Sequence, residues 1–246
     1  MKDNFSSNSE NYRKYRPQYP QEVYEFIKSN LNSFESAWDC GTGSGQVAGE
    51  ISKFFEEVKA TDISENQLKK AVKKSNIDYS IQPAEETYFK NEQFDLIISA
   101  QAVHWFEFKS FYAEVKRCLK PHGKIVIMGY GLFSSNSKTN KVIREFYDGI
   151  IGDYWDTERK YLDDHYKTIP FPFEEIRAPH FNQNYTWDID HLLGYLRTWF
   201  AVKHYQIEND KDPVSLIENR LKMTFGKRNE VNFPILFRMG KMHSFA

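Results

Sequence analysis

Apolar residues change their rhythm along this chain. Up to Tyr130, short apolar runs alternate with stretches whose apolar positions recur every three to four residues. Ala37-Trp38, Glu57–Ile63, Tyr79–Ala84, Phe94–Ala100 and Lys124–Tyr130 read as strands. The run Phe94–Ala100 is continuous, which suits a strand covered on both faces. Between them, Val47, Ala48, Ile51, Phe54 and Phe55 mark one helical face, Leu68, Ala71 and Val72 a second, and Phe108, Phe111, Tyr112, Val115 and Leu119 a third. Ser64 and Gln67 form a capping-box pair for the second of these helices. A helix from about Gln21, with Val23, Phe26, Ile27 and Leu31 on one side, precedes the first strand. Strand and helix in alternation predict an α/β fold with a doubly wound parallel sheet.

Beyond Tyr130 the rhythm is different. Polar Ser134–Asn140 leads into a helix through Val142, Ile143, Phe146 and Tyr147, and an aromatic-rich stretch follows to Phe173. Glu174–Tyr185 reads as a sixth strand, Asp188–Tyr205 as one helix, and Val231–Met242 as the last strand. Asp212-Pro213 starts a further helix that Gly226 stops. The division expected is a single domain in four parts: an N-terminal arm over 1–20, a core over 21–130, a helical cap inserted over 131–173, and a completion of the sheet over 174–246.

Composition narrows the class. With 33 basic against 34 acidic groups, the net charge of −1 lacks the basic excess of a dedicated nucleic-acid binder. No apolar run approaches the roughly 20 residues of a membrane span, and the polar start is not a signal peptide, so the cytoplasm is the default compartment. Cys40 falls on a strand and Cys118 on a helix, which favours two buried thiols over a disulfide or a metal site. Aromatic residues make up 16%, enough to serve the core and also to wall a ligand pocket.

The candidate chemistry centres on Ser36–Gln46, where Asp39 is followed by glycines at 41, 43 and 45. Strand, glycine turn and helix is the first half of a βαβ unit, and the turn admits a ligand closer than a Cβ would allow. A dinucleotide fingerprint wants glycine where Gln46 stands, and a P-loop wants a lysine that the turn lacks. An anion at Asp39 is a poor neighbour for pyrophosphate and a good one for a cationic ligand. Asp62, with Ile63 beside it, ends the second strand, placed to accept hydrogen bonds from ribose hydroxyls.

The Asp-x-Gly-x-Gly-x-Gly motif resembles the first motif of class I S-adenosylmethionine-dependent methyltransferases. The leader Tyr12–Pro20, Leu119-Lys-Pro-His-Gly-Lys124, Trp155, Pro170-Phe171 and Tyr195–Trp199 resemble the trans-aconitate methyltransferase-like (methyltransferase type 11) group. The resemblance implies a Rossmann-like seven-stranded sheet with its last strand antiparallel. It further implies S-adenosyl-L-methionine as cofactor, S-adenosyl-L-homocysteine as product, and a small-molecule acceptor, with a carboxylic acid the class that the later motifs suggest. Where that group usually has serine after Trp199 this chain has Phe200, which leaves the acceptor open. Asp39, Gly41, Thr42, Gly43, Gly45, Asp62, Ile63, Ala84, Glu85, Gln101 and Ala102 are the implied cofactor residues, with Ala84-Glu85 beside the adenine.

The loop after the fourth strand should face both ligands. His104 and Trp105 in that loop, with Tyr15 and Arg16 in the leader, are the candidate catalytic residues. A carboxylate acceptor needs no base and would be held by Arg or Tyr donors, whereas an amine or hydroxyl would call on His104. No metal, nucleic-acid or membrane partner is expected, and the assembly expected is a monomer or homodimer. Two other readings stand beside this one: a binding protein that has kept the cofactor fold without catalysis, and a nicotinamide-dependent oxidoreductase disfavoured by Gln46 and Asp39.

Overall fold

The structure, a computed structural model, describes residues 15–243. Tyr12 and most of the expected arm lie outside the described residues. A helix α1 (Gln21–Ser29) leads into β1 (Ser36–Cys40), α2 (Gln46–Ile51), β2 (Glu57–Asp62), α3 (Glu65–Lys69), β3 (Ile77–Ile81) and β4 (Phe94–Ala100). A 3-10 turn over Val103–Trp105 precedes α4 (Phe108–Cys118) and β5 (Leu119–Tyr130). Strands β1 to β5 are parallel, and β8 (Arg228–Lys241) joins β5 antiparallel. The order β3-β2-β1-β4-β5-β8-β6 fills seven positions. The last position is shared by β6 (Glu174–Ile176) and β7 (Phe181–Asp188), both antiparallel to β8. The Rossmann-like sheet expected from the sequence is therefore present, with its last strand antiparallel.

Alternation along the central strands makes two core layers. Leu96, Ile98, Val126 and Met128 point to one face, where Val23, Ile27, Val47 and Ile51 of α1 and α2 cover them. Ile97, Ile125 and Ile127 point to the other, under Phe111 and Val115 of α4. Both cysteines are buried free thiols, and burial pushes the Cys118 thiol up to about 11.

The segment after β5 runs through α5 (Ser137–Arg144), a π-helical turn (Glu145–Ile150), a 3-10 turn (Gly152–Tyr154) and α6 (Arg159–Asp163). Val142, Phe146 and Ile151 pack into the first layer, whereas Leu162, Tyr166 and Ile169 pack into the second. The segment therefore passes from one face of the sheet to the other.

Several elements differ from the sequence expectation for physical reasons. The sixth strand is split between β6 and β7 by residues 177–180, where Pro179 has no N–H to give a ladder. The single helix expected over Asp188–Tyr205 is two, α7 (Ile189–Leu196) and α8 (Phe200–Asn209). At the break Thr198 Oγ1 donates to Tyr195 O at 2.6 Å, competing with helical pairing, and Trp199 is extended. Ser64 holds the N-cap of α3 without a side-chain capping bond, so the capping box is not formed. That helix ends at Lys69, before Ala71 and Val72. Val72 N donates to Ser44 O in the glycine turn instead. A 3-10 turn (Pro213–Leu216) and α9 (Glu218–Phe225), stopped by Gly226, precede β8.

Candidate active site

Parallel strands end their ladders at the same edge, and the loops leaving that edge form a cleft. Its walls are the glycine turn after β1, the tip of β2, the chain after β3, the loop after β4 and the segment that enters α1. The cleft encloses about 980 Å3 including its mouth, within the range of small-molecule sites. Of the expected cofactor residues, Asp39, Gly41, Thr42, Gly43, Asp62, Ile63, Ala84, Gln101 and Ala102 line it. So do Arg16 and Trp105.

Asp39 sits at the tip of β1 and is 1% exposed. Its Oδ2 accepts from Thr42 Oγ1 at 2.5 Å and from Ala48 N at 2.9 Å, but its buried Oδ1 has no hydrogen-bond partner. Burial pushes the carboxyl up to about 7, with the nearby charge of Asp62 adding to the rise and the two hydrogen bonds opposing it. A lone buried acceptor on a ligand cleft calls for a donor from the ligand. Gly41 and Gly43 both hold positive φ, and a Cβ on Gly43 would project into open space, so the backbone here is bare towards the cleft. Asp62 is oriented by Gly43 N at 2.9 Å on Oδ2 and by Ser64 N at 2.8 Å on Oδ1. A ligand with an ammonium group and a ribose fits this donor and acceptor set.

Two expected cofactor residues fall elsewhere. Glu85 turns away to accept Glu107 N at 3.0 Å. Gly45 is the left-handed N-cap of α2, where an added Cβ would collide with the Tyr79 hydroxyl, so it serves the turn and not the cleft lining. Tyr19, from the leader that the sequence marks, lines the cleft too, and so do Gln82, Phe106 and Tyr130, which nothing in their local pattern separates from core or loop residues.

A second cavity of about 480 Å3 adjoins the first. Arg16, Gln101 and Trp105 belong to the walls of both. Its other walls include His104, Trp155, Arg159, Trp199 and Phe200. The break between α7 and α8 brings Trp199 and Phe200 there, and Phe200 meets Trp105 edge-on at 6.1 Å. Gln101 has the left-handed φ of 55° and accepts Tyr130 N at 2.9 Å, tying the tip of β4 to β5. Arg16 donates to Tyr130 Oη and to Thr198 O, both at 3.1 Å.

His104 is buried, with Nδ1 3.3 Å from Tyr166 Oη. Burial, reinforced by the charge of Arg159, lowers its pKa to about 3, so the imidazole is neutral. Tyr15 lines neither cavity and packs edge-on against His191 at 5.1 Å. Nothing in its local pattern marks Arg159. Its guanidinium lies 4.7 Å from the Trp155 ring centre and 5.3 Å from that of Tyr147, and Nε donates to Tyr147 Oη at 2.6 Å and Asp163 Oδ1 at 3.2 Å. Neither Nη makes a hydrogen bond to another described residue.

Comparison with known proteins agrees with this geometry. Residues 38–127 match the family described as a methyltransferase domain. A Dictyostelium discoideum protein named "Putative methyltransferase" is 34% identical over 97% of this chain and 95% of its own. A solved structure named "Putative Type II Methyltransferase", from Anaeromyxobacter dehalogenans, superposes with a TM-score of 0.86 at 33% identity, covering 93% of this chain and all of that one. A solved structure from Bacillus halodurans, named "Putative Methyltransferase", shares the fold at 19% identity and a TM-score of 0.53, covering 91% of this chain and 100% of its own.

Proposed function

This chain belongs to the class I S-adenosylmethionine-dependent methyltransferases, and from that premise we propose that it O-methylates a small carboxylic acid seated in the second cavity. In this reading residues 131–173 are the cap of the acceptor site, and the leader around Arg16 closes over the cofactor. The observation that carries it is a cavity beside the cofactor cleft that offers guanidinium donors while its imidazole is neutral and buried.

The bound cofactor supplies an electrophilic methyl group on a sulfonium. Asp39, through its partnerless Oδ1, takes the ammonium end, and Asp62 accepts from the ribose. Arg159 presents two terminal nitrogens whose planar fork matches a carboxylate. Trp105 and Phe200 exclude water between the two cavities. A carboxylate oxygen already carries the attacking electron pair, so no proton has to leave and His104 is not needed as a base. With no bond chemistry left to the side chains, the protein contributes orientation, on the order of 7–11 kcal/mol.

The test is methyl transfer from labelled cofactor to a panel of small acids, amines and phenols, with the product treated with mild alkali. The expected product is a methyl ester that releases methanol. At saturating cofactor, the rate should not titrate with His104 between pH 5 and pH 9, since that group changes charge only near pH 3. An alkali-stable product, or a rate that rises with a pKa of 6 to 7 at saturating cofactor, overturns the carboxylate reading.

A further inference from the structure

Among the described residues, Asp156 is the one carboxylate in the wall of the second cavity. Asp156 stands three residues before Arg159, at the start of the turn into α6, and Arg159 N donates to its main-chain oxygen at 2.9 Å. Its side chain does not pair with Arg159, which binds Asp163 instead. The Asp156 Oδ2 atom is shut off from solvent and has no hydrogen-bond partner. Buried carboxylate oxygens are almost always paired, and a bare one on a side chain that walls a ligand cavity is accounted for by a donor that the ligand brings. Trp155, Trp199 and Phe200 share the wall of this cavity, and none of them donates to Asp156, since the Trp155 Nε1 is taken by Tyr147 O at 3.2 Å.

Resting on the carboxylic-acid reading, we propose that the acceptor carries a hydrogen-bond donor as well as its carboxylate, a hydroxyl or an ammonium group, and that Asp156 accepts from it while Arg159 holds the carboxylate. The two side chains then read opposite ends of one small molecule. A plain acid leaves Asp156 unpaired, and a dicarboxylic acid brings a second anion against it. Asp156 thus selects among acids that Arg159 alone would bind alike.

The test is calorimetry on protein loaded with S-adenosylhomocysteine, using phenylpropanoate, its hydroxy and amino counterparts, and phenylsuccinate. The hydroxy or the amino acid should bind about tenfold or more tightly than the parent acid, and phenylsuccinate no better than the parent. In Asp156→Ala, which removes the acceptor altogether, the preference should fall towards unity for either donor. Because no bond within the fold uses Oδ2, the thermal midpoint of that variant should not fall, which separates recognition from a structural role. Equal binding of parent and substituted acids, or a preference untouched in Asp156→Ala, overturns this assignment and leaves the carboxylate reading standing. Binding of simple amines or phenols with no acid bound overturns both.

Discussion

A carboxyl group in water is ionised at neutral pH, but Asp39 is 1% exposed and burial pushes it up from 3.8 to about 7. A folded-state pKa above the unfolded one means that the native protein holds a proton which the unfolded chain gives up. The stabilisation is complete below about pH 4 and is lost as pH rises through 7. Asp39→Asn should therefore unfold at a higher temperature than the wild type at pH 8, by scanning calorimetry. It should also bind S-adenosylhomocysteine roughly 10- to 100-fold more weakly, the loss of one charge-assisted contact. Function and stability are opposed at this one side chain. Asp39 was legible in the sequence because its place before the glycines fixes its place at a strand tip. Its bare oxygen was not, since that depends on which donors the fold brings near. Arg159 was illegible altogether: its role comes from lying against Trp155, which follows a 3-10 turn, and Tyr147, which a π-helical turn supplies, and no periodicity announces either.

Among elements, the β1–α2 turn is the most tightly specified. Gly45 combines a φ of +73° with close contact to the Tyr79 hydroxyl, which itself donates to Val72 O at 2.6 Å. Gly45→Ala should cost about 2–3 kcal/mol, from a left-handed backbone plus a displaced hydrogen bond, read as a lower urea midpoint. The strands β1, β4 and the second half of β5 were legible because burial on both faces leaves apolar runs, and β4 matches the residues expected of it, whereas the half-exposed β3 runs over Ile77–Ile81 and not Tyr79–Ala84. Elements went wrong where a backbone group was spent locally. Pro179 interrupts a strand and Thr198 interrupts a helix, although hydrophobic spacing runs on through both sites. The second interruption has a consequence at the site, for it frees Thr198 O to accept from Arg16 and turns Trp199 and Phe200 towards the cavity.

Across the whole molecule, Arg16 is the joint between the two cavities. It reaches β5 through Tyr130 and the α7–α8 break through Thr198, and it contributes to both walls. Filling one cavity therefore orders a residue that the other uses. Affinity for the acceptor should rise when S-adenosylhomocysteine is bound, and by linkage the reverse holds with the same factor. Arg16→Ala should weaken both ligands and shrink that factor towards one, measured as acceptor titrations with and without the nucleoside. The order of the sheet has another outcome. β8 lies between β5 and the β6–β7 pair, yet it is translated after all of them. Until Arg228–Lys241 have left the ribosome, β5 has one unpaired edge, and β6 and β7 have no strand to join. The nascent chain carries those open edges for as long as synthesis lasts, so slow translation or a stall before residue 228 exposes this protein to aggregation in a way that its finished form does not show.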